Sequence, residues 1–285
     1  MTSLTPTIHT GPYDAISAAQ ADHSQVGRTV LITGGSKGIG FAIARAFAIA
    51  GAARIVLVAR GGAALDLAVL RLESEFQATV IPITCDLGDP TNIETLWAQL
   101  DDRQIVVDVL VLNAARVQAK ESSMLSLGWQ QTWKMFETNV RGNMILVEKT
   151  MSQADTKQKV ILNVSSPFVH DQDMAAGFQA YASSKSAFAG ALQHLATETP
   201  LERAQIISFH PGFIYSDGMK SMGCTPEDLD WDDENLPANF AVWAASSKAA
   251  FLHGRFAWAK WNVEELTEAV QTGNADILKI GVHGL

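Results

Sequence analysis

The stretch that decides the fold is TVLITGGSKGIG, residues 29–40. A β-branched run, Thr29 to Thr33, leads into a glycine-rich turn, and the apolar helical pattern FAIARAFAIAG follows at once. Glycines allow positive φ and a close approach of the backbone to a ligand, while the first turn of a helix offers free N–H groups and a partial positive charge. A strand, turn and helix in this order predict a site for the pyrophosphate of a dinucleotide.

Outward from this turn, short apolar runs alternate with longer amphipathic stretches. RIVLVA, TVIPITCDL, VDVLVLNAA, KVILNVSS and AQIISFHPG are each followed by a helical pattern. Continuous apolar strands separated by helices predict an α/β fold of the Rossmann type, a doubly wound parallel sheet with helices on both faces. We expect an N-terminal arm at residues 1–26 and one domain at residues 27–285, with a substrate lid loop at 216–237. Ligands of such sheets bind beyond the carboxyl ends of the strands.

The composition excludes several classes of protein. With 21 Lys and Arg against 30 Asp and Glu, the formal net charge is −9, which argues against nucleic acid or an anionic membrane surface as a partner. Cys85 and Cys224 offer one possible disulfide and no metal-ligand cluster, and reduced thiols are the favoured interpretation. No secretory signal is evident, and no apolar run approaches the roughly 18 residues of a membrane span. We therefore expect a cytoplasmic protein without a metal site.

The end of the second strand indicates which dinucleotide binds. An NAD site usually carries an acidic residue about 20 positions after the last glycine, but Ala59 stands there and Arg60 follows it. Lys37 adds a second cation in the turn. Two cations without a carboxylate suit a 2′-phosphate, which a guanidinium binds through two hydrogen bonds. NADP(H) is therefore predicted over NAD(H), with Arg60 as a merely solvated strand end being the alternative.

The same turn fits a second pattern, GxSxG, in which Ser36 would be the nucleophile of a serine hydrolase. Such a nucleophile needs an acid and then a histidine later in the chain. The candidate histidines, none in a distinctive setting, are His170, His194, His210, His253 and His283. Because a nucleophile turn normally follows several strands and this turn follows the first, the hydrolase hypothesis is the weaker one.

The turn TGGSKGIG resembles the cofactor signature of the short-chain dehydrogenase/reductase family, and further motifs of that family occur in order over about residues 27–262. They are CDLGD at 85–89, NAA at 113–115 where the family usually has NNAG, ETNVRG at 137–142, SS at 165–166, YASSK at 181–185 and PGFIYS at 211–216. The stretch FLHGRFAWAKWNVEEL, residues 251–266, is similar to members found beside fungal biosynthetic pathways.

The resemblance implies two sets of site residues. The catalytic set is Asn139, Ser166, Tyr181 and Lys185. The residues implied to bind the dinucleotide are Thr33, Gly34, Ser36, Lys37, Gly38, Ile39, Gly40, Arg60, Asp86, Leu87, Asn113, Ala114, Ala115, Tyr181, Lys185, Pro211, Gly212, Ile214 and Ser216. Ser166 precedes Tyr181 by two residues more than is common in the family, and an insertion in PFVHDQDMAAG accounts for the difference. Ser166 is preferred to Ser165 on this basis.

Tyr181 and Lys185 are four residues apart and therefore lie on one face of a helix. A free phenol has a pKa near 10, and we expect the Lys185 ammonium to lower it, so that Tyr181 donates a proton to a carbonyl oxygen or accepts one in reverse. By resemblance, Lys185 also holds the nicotinamide ribose, Ser166 hydrogen-bonds the substrate oxygen and Asn139 anchors a water relay. The cofactor carries the hydride.

These observations predict an NADPH-dependent ketoreductase or alcohol dehydrogenase acting on an apolar small molecule, such as a secondary metabolite. The apolar side chains expected at the mouth are Phe168, Phe178, Phe213, Tyr215, Met219, Met222 and Trp231. The acidic run of Asp228, Asp230, Asp232, Asp233 and Glu234 is expected to be the solvated outer face of the lid. The resemblance implies a homodimer or homotetramer through helices at 129–151 and 177–198. A non-redox enzyme on the same scaffold and a non-catalytic NADPH-binding sensor stay open as alternatives.

Overall fold

The computed structural model describes residues 4–118, 123–154 and 157–281. Seven strands form one parallel sheet in the order β3-β2-β1-β4-β5-β6-β7. They are β1 Thr29–Thr33, β2 Arg54–Ala59, β3 Thr79–Thr84, β4 Val109–Leu112, β5 Lys159–Val164, β6 Ala204–His210 and β7 Arg255–Trp258. The strand order reverses beside β1, which creates a crevice between β1 and β4 at the carboxyl edge of the sheet. The predicted doubly wound fold is confirmed.

Helices cover both faces of this sheet. They are α1 Gly38–Ile49, α2 Gly62–Glu75, α3 Pro90–Asp102, α4 Met124–Leu127, α5 Trp129–Phe136, α6 Asn143–Ser152, α7 Gln179–Glu198, α8 Asp217–Ser221, α9 Asn235–Ala244 and α10 Val263–Thr272. A π-helical segment, Glu137–Gly142, joins α5 to α6. Short 3₁₀ turns occupy Asp14–Ile16, Ala21–His23, Pro167–Val169 and Ser247–Leu252. None of the helices in the three described ranges combines the length and the apolar character needed to span a bilayer.

Alternate residues of each strand point into two separate cores, as the period of two along a strand requires. On one face, Ile32 of β1 packs with Phe47 of α1 and Phe240 of α9. On the other face, Leu31 of β1 packs with residues of α3, α6 and α7, among them Phe188. All five residues of β1 are buried, which explains why the central strands are continuous apolar runs instead of alternating ones.

The N-terminal segment packs along the edge of the first core. Ile16 is fully buried, and the backbone N–H of Ala18 donates to Asn239 Oδ1 on α9 at 2.8 Å. The Tyr13 phenol donates to the Trp261 carbonyl at 2.9 Å and accepts from the Val263 N–H at 3.0 Å. These contacts fix the segment against the last third of the chain.

The segment predicted as a loop at 216–237 contains more regular structure than its sequence indicated. Helix α8 occupies Asp217–Ser221, and α9 begins at Asn235. Leu236 at its first turn is fully buried. The irregular stretch, residues 222–234, is therefore shorter than predicted. The start of α9 was missed because it directly follows the acidic run at 228–234.

Candidate active site

The glycine-rich turn closes tightly on itself and on the end of β4. A Cβ atom at Gly40 would lie 2.2 Å from the Gly34 carbonyl oxygen, and one at Gly34, where φ is +67°, would lie 2.8 Å from Asn113 Nδ2. Asn113 Nδ2 donates to the Thr33 carbonyl at 2.9 Å, while Thr33 Oγ1 accepts from the N–H groups of Asn113 and Ala114 at 2.9 and 3.0 Å. Only glycine therefore fits at positions 34 and 40, and the free amides at the start of α1 are of the kind that suit a pyrophosphate.

The other residues predicted to bind the dinucleotide follow the carboxyl ends of neighbouring strands. Pro211 and Gly212 follow β6, Ile214 is buried, and Ser216 Oγ accepts from the Met219 N–H to begin α8. A Cβ atom at Gly38 would lie 4.0 Å from Ser216 Cβ. The structure thus brings the segment after β6 close to the turn after β1.

The strand ends on the β3 side hold the remaining predicted positions. Arg60 is exposed after β2, and Asp86 is exposed after β3, where its carboxylate accepts from the Gly88 N–H at 2.9 Å. Leu87 is buried, with its carbonyl oxygen against Gly142. Ala115, after β4, is exposed. These positions therefore lie just beyond the carboxyl ends of β2, β3 and β4.

Lys37 has an ion-pair partner on α8. Its Nζ lies 2.6 Å from Asp217 Oδ2, with both side chains more than half exposed, and this hydrogen bond lowers the pKa of the Asp217 carboxyl. Lys37 therefore lies in the glycine-rich turn, as the sequence shows, but it forms an ion pair with a carboxylate that was not predicted to be its neighbour. The pair is exposed and weak by itself.

Tyr181 and Lys185 are buried together on α7. Lys185 Nζ donates to the Val164 carbonyl at 2.8 Å and lies 5.9 Å from the centre of the Tyr181 ring. Desolvation by burial lowers the pKa of Lys185 to about 8. The two groups expected to act together thus share one buried patch at the end of β5.

The direction of the Tyr181 pKa differs from the sequence-based expectation. Burial raises the pKa of the phenol above its ordinary value of 10, whereas we expected the Lys185 ammonium to lower it. The physical reason is geometric, since the ammonium is directed at the Val164 carbonyl while the phenol is removed from water. Desolvation disfavours the phenolate and therefore decides the direction.

Asn139 lies in the π-helical segment and is almost completely buried. Its Oδ1 accepts from the Arg116 N–H at 2.7 Å, and its Nδ2 donates to the Arg116 carbonyl and to Ser184 Oγ, both at 2.9 Å. Gln118 Oε1 accepts from the Tyr181 N–H at 3.0 Å. None of these three partners, Arg116, Ser184 and Gln118, was predicted from the sequence, and no local pattern marks them.

The two serines at the end of β5 have different surroundings. Ser166 Oγ accepts from the Phe168 N–H at 3.4 Å and begins the 3₁₀ turn that follows. The Ser165 N–H donates to the Phe209 carbonyl at 2.7 Å, and its hydroxyl is buried without a hydrogen-bond partner among the described residues. Ser166 thus caps the turn that begins segment 167–177, whereas Ser165 is joined to β6 through its backbone N–H.

Apolar side chains form a wall around Tyr181. Phe168 meets the Tyr181 ring edge to face at 6.2 Å and stacks on Phe178 at 5.6 Å. Met222 is buried in the same cluster, and Met219 packs against it. Of the residues predicted at the mouth, these four converge on the phenol.

The other three lie elsewhere. Tyr215 and Trp231 pair with each other, with their ring centres 5.2 Å apart. Phe213 lies against His210 at 5.0 Å. Phe213 and Tyr215 precede α8, Trp231 lies between α8 and α9, and none of the three belongs to the wall around Tyr181.

The acidic run is not uniformly solvated, which corrects the prediction for Asp232. Asp228, Asp230, Asp233 and Glu234 are exposed, but the side chain of Asp232 is completely buried. Its Oδ1 lies 2.8 Å from Lys260 Nζ, and its Oδ2 accepts from the Phe213 N–H at 2.8 Å. A buried carboxylate needs such partners, and both come from segments far from it in sequence.

The hydrolase alternative finds no support in the surroundings of its candidate histidines. His253 is held by the backbone of Ile206, Ala196 and Thr199. Burial lowers the pKa of His210 to about 3, which makes it a poor base. His283 lies outside the described residues. In the ranges that the structure covers, no hydrogen bond joins Ser36 to a histidine, and no group of three His, Cys, Asp or Glu could hold a metal ion.

Known proteins share this architecture and its motifs. A family model described as short chain dehydrogenase matches residues 28–226. A short chain dehydrogenase/reductase of Claviceps purpurea is 36% identical over 265 residues, which are 92% of this chain and 87% of that protein. The short chain dehydrogenase/reductase nsrO of Aspergillus novofumigatus is 36% identical over 267 residues, 90% of this chain and 88% of that protein.

Among solved structures, L-sorbose reductase from Gluconobacter frateurii, complexed with NADPH and L-sorbose, has a TM-score of 0.72 at 23% identity. The match covers 83% of this chain and 97% of that one. At this level of identity the likeness supports the fold.

Proposed function

This chain belongs to the short chain dehydrogenase family, and on that premise we propose that it is an NADPH-dependent ketoreductase or alcohol dehydrogenase acting on an apolar small molecule. The observation that carries the proposal is the patch at the end of β5. There, the phenol of Tyr181 and the ammonium of Lys185 lie buried together within the apolar wall. Ser166 and the glycine-rich turn follow strands of the same sheet at its carboxyl edge.

A bound nicotinamide dinucleotide supplies or accepts the hydride at the substrate carbon. Tyr181 is protonated at neutral pH because burial raises its pKa, so in reduction it donates its proton to the carbonyl oxygen. Lys185, with a pKa of about 8, is mostly charged at pH 7 and stabilises the phenolate that remains after the transfer. The Ser166 hydroxyl orients the substrate oxygen. Asn139 acts through other residues, since its amide joins the Arg116 backbone to Ser184 on α7.

The preference for NADP(H) over NAD(H) is the finer part of the proposal. Arg60 at the end of β2 is exposed and available to a 2′-phosphate, and the carboxylate that would repel that phosphate is replaced by Ala59. Lys37 lies in the glycine-rich turn after β1, where Asp217, its ion-pair partner, would compete with a phosphate for the ammonium. The NADPH complex of the sorbose reductase, which has the same fold, supports the assignment.

The wall around Tyr181 supports a flat, apolar carbonyl or alcohol, such as an aromatic or polycyclic secondary metabolite. Phe168 and Phe178 offer stacked rings, and Met219 and Met222 offer adaptable apolar contact. A substrate carbonyl presented to the Tyr181 phenol would have its ring system against these side chains. A strongly charged substrate would lose solvation there without gaining a partner.

We infer a homodimer or homotetramer in the cytoplasm. Trp129, Trp133 and Met144 on α5 and α6 expose about half or more of their surface, and a groove of about 360 Å³ lies between α6 and α7. Apolar helix faces of this kind mark protein interfaces. The location rests on the composition of the chain.

The proposal is tested by titrating purified protein with NADPH and NADH, and then recording NADPH absorbance on a panel of apolar ketones and alcohols. NADPH consumption that is lost in Tyr181→Phe supports the reductase. Turnover that persists without NADPH, or in Tyr181→Phe, indicates a non-redox reaction on the same scaffold. Tight binding without consumption on any substrate indicates a sensor, and the absence of dinucleotide binding contradicts the proposal.

A further inference from the structure

Asp232 forms two hydrogen bonds with the turn that follows β6. The Phe213 N–H donates to Asp232 Oδ2 at 2.8 Å, and the Asp232 N–H donates to the Phe213 carbonyl, also at 2.8 Å. Gly212 between Pro211 and Phe213 has a φ of +97°, and a Cβ atom there would lie 2.8 Å from Asp232 Oδ2. The carboxylate therefore fills the space that a side chain at Gly212 would need, and it fixes the conformation of this turn.

The other carboxylate oxygen of Asp232 forms an ion pair with a lysine that follows β7. Lys260, two residues after β7, places its Nζ 2.8 Å from Asp232 Oδ1, as an ion pair without the geometry of a hydrogen bond. The Lys260 side chain is 16% exposed and that of Asp232 is 0% exposed. The same Nζ lies 5.9 Å from the centre of the Phe213 ring. A buried carboxylate needs a partner of opposite charge, and Lys260 supplies it and helps to hold Asp232 in place.

The backbone next to each partner is fixed by the N-terminal segment. The Asp233 N–H donates to the Thr10 carbonyl at 2.8 Å, and the His9 N–H donates to the Lys260 carbonyl at 2.8 Å. Neither Asp232 nor Lys260 is therefore carried by a loose loop. These two backbone hydrogen bonds support the pair, and the hydrogen bonds of Asp232 connect it to Phe213.

We propose that Asp232 is a positioning residue for the cofactor: by holding the Phe213 N–H, it sets the turn at 211–213 so that this turn borders the nicotinamide half of the dinucleotide. This inference rests on the proposed function for the identity of the ligand. Asp232 touches no reacting atom in this scheme. Its contribution is to the affinity for the nicotinamide end and not to the affinity for the adenosine end, which lies beside Arg60.

Two ligands separate these ends: NADPH, and adenosine 2′,5′-bisphosphate, which lacks the nicotinamide. Two double variants are made, one with Asp232→Leu and one with Asp232→Asn. Each also carries Lys260→Met, because loss of the Asp232 carboxylate would otherwise leave the Lys260 ammonium without its partner. Leucine removes the acceptor for the Phe213 N–H, whereas asparagine retains an acceptor oxygen in nearly the same volume. Asp230→Asn, at an exposed neighbour in the same segment, is the matched control. Dissociation constants are measured by calorimetry for all four proteins.

We expect the leucine double variant to bind NADPH about tenfold more weakly, which is the scale of one lost hydrogen bond to a charged group. The asparagine double variant recovers most of that loss, and the bisphosphate binds equally to all. Unchanged NADPH affinity in the leucine double variant, or an equal loss for both ligands, would overturn the inference. If the leucine double variant does not fold, Asp232→Ala with Lys260→Met takes its place, since alanine also lacks the acceptor.

Hydrogen exchange in peptides covering residues 211–216 gives a readout that needs no ligand. We expect exchange to be faster in the leucine double variant than in the asparagine one, and equal rates contradict the inference. If the wild-type protein binds neither ligand, the proposed function fails. In that case a difference in exchange supports the part of the inference that concerns the turn, and equal rates reject it.

Discussion

Lys185 Nζ donates a hydrogen bond of 2.8 Å to the carbonyl oxygen of Val164, the last residue of β5. This bond fixes the buried end of the lysine at the edge of the sheet from which Ser166 projects. The same ammonium lies over the Tyr181 ring, 5.9 Å from its centre. Burial raises the pKa of the Tyr181 phenol, so the folded chain favours its protonated form.

Tyr181→Phe is expected to lower kcat for ketone reduction about a thousandfold, because a positioned proton donor contributes roughly 10²- to 10⁴-fold. NADPH affinity is expected to stay within a few fold of the wild-type value, since the ring and its packing remain. The measurement is NADPH absorbance under saturating conditions. Tyr215→Phe, which removes a phenol that pairs with Trp231 outside the wall, is the control, and an equal loss in both variants would contradict a special role for Tyr181.

Lys185→Met is expected to change how stability depends on pH. The pKa of Lys185 is lowered to about 8 by burial, so between about pH 8 and the ordinary lysine value near 10.4 the unfolded chain holds a proton that the folded chain has released. Stability conferred by this residue therefore rises with pH across that window. In urea unfolding at several pH values, the free energy of unfolding of the wild type should increase relative to that of Lys185→Met as the pH rises through this window. Lys134→Met, at an exposed position on α5, serves as control.

Gly40→Ala is expected to remove dinucleotide binding and to lower the free energy of unfolding by about 2 kcal/mol, the usual scale of overpacking. The new Cβ would lie 2.2 Å from the Gly34 carbonyl oxygen, which forces the turn open. Gly61→Ala is the matched control, since a Cβ there meets no atom within 4 Å. Calorimetric titration and thermal unfolding check both effects, and normal NADPH binding by Gly40→Ala would exclude this turn as the site.

Arg60→Ala is expected to weaken NADPH binding about tenfold while leaving NADH binding unchanged, because only NADPH has a 2′-phosphate for the guanidinium. Arg54, at the opposite end of β2 and also exposed, gives the control Arg54→Ala. Dissociation constants for both cofactors decide the outcome. A parallel loss for NADPH and NADH would show that Arg60 does not read the phosphate.

The features that could be predicted from the sequence are those encoded locally. The buried strand β1, the glycines of the turn and the start of α1 are consecutive in the chain, so their apolar pattern and backbone requirements are visible without the fold. The pairing of Tyr181 and Lys185 on one helix face follows from their spacing of four. Roles for these residues in catalysis and binding stay predictions until the variants are measured.

The features that were missed depend on contacts across the fold. Asp232 lies among exposed acids, and its burial requires Lys260 and Phe213 from other segments. The raised pKa of Tyr181 comes from burial of the phenol, which the spacing of Tyr181 and Lys185 does not specify. The π-helical segment that carries Asn139 has no sequence signature that we recognised within the predicted helix at 129–151.

The contacts of the N-terminal segment impose an order on folding during synthesis. The Thr7 N–H donates to Glu265 Oε2 at 2.9 Å, and His9 donates to the Lys260 carbonyl. The ribosome releases these first residues long before their partners, so the segment must wait undocked while most of the sheet is made. On a stalled ribosome that has not yet released residues 260–265, we expect protease to remove the segment, and release of those residues to protect it.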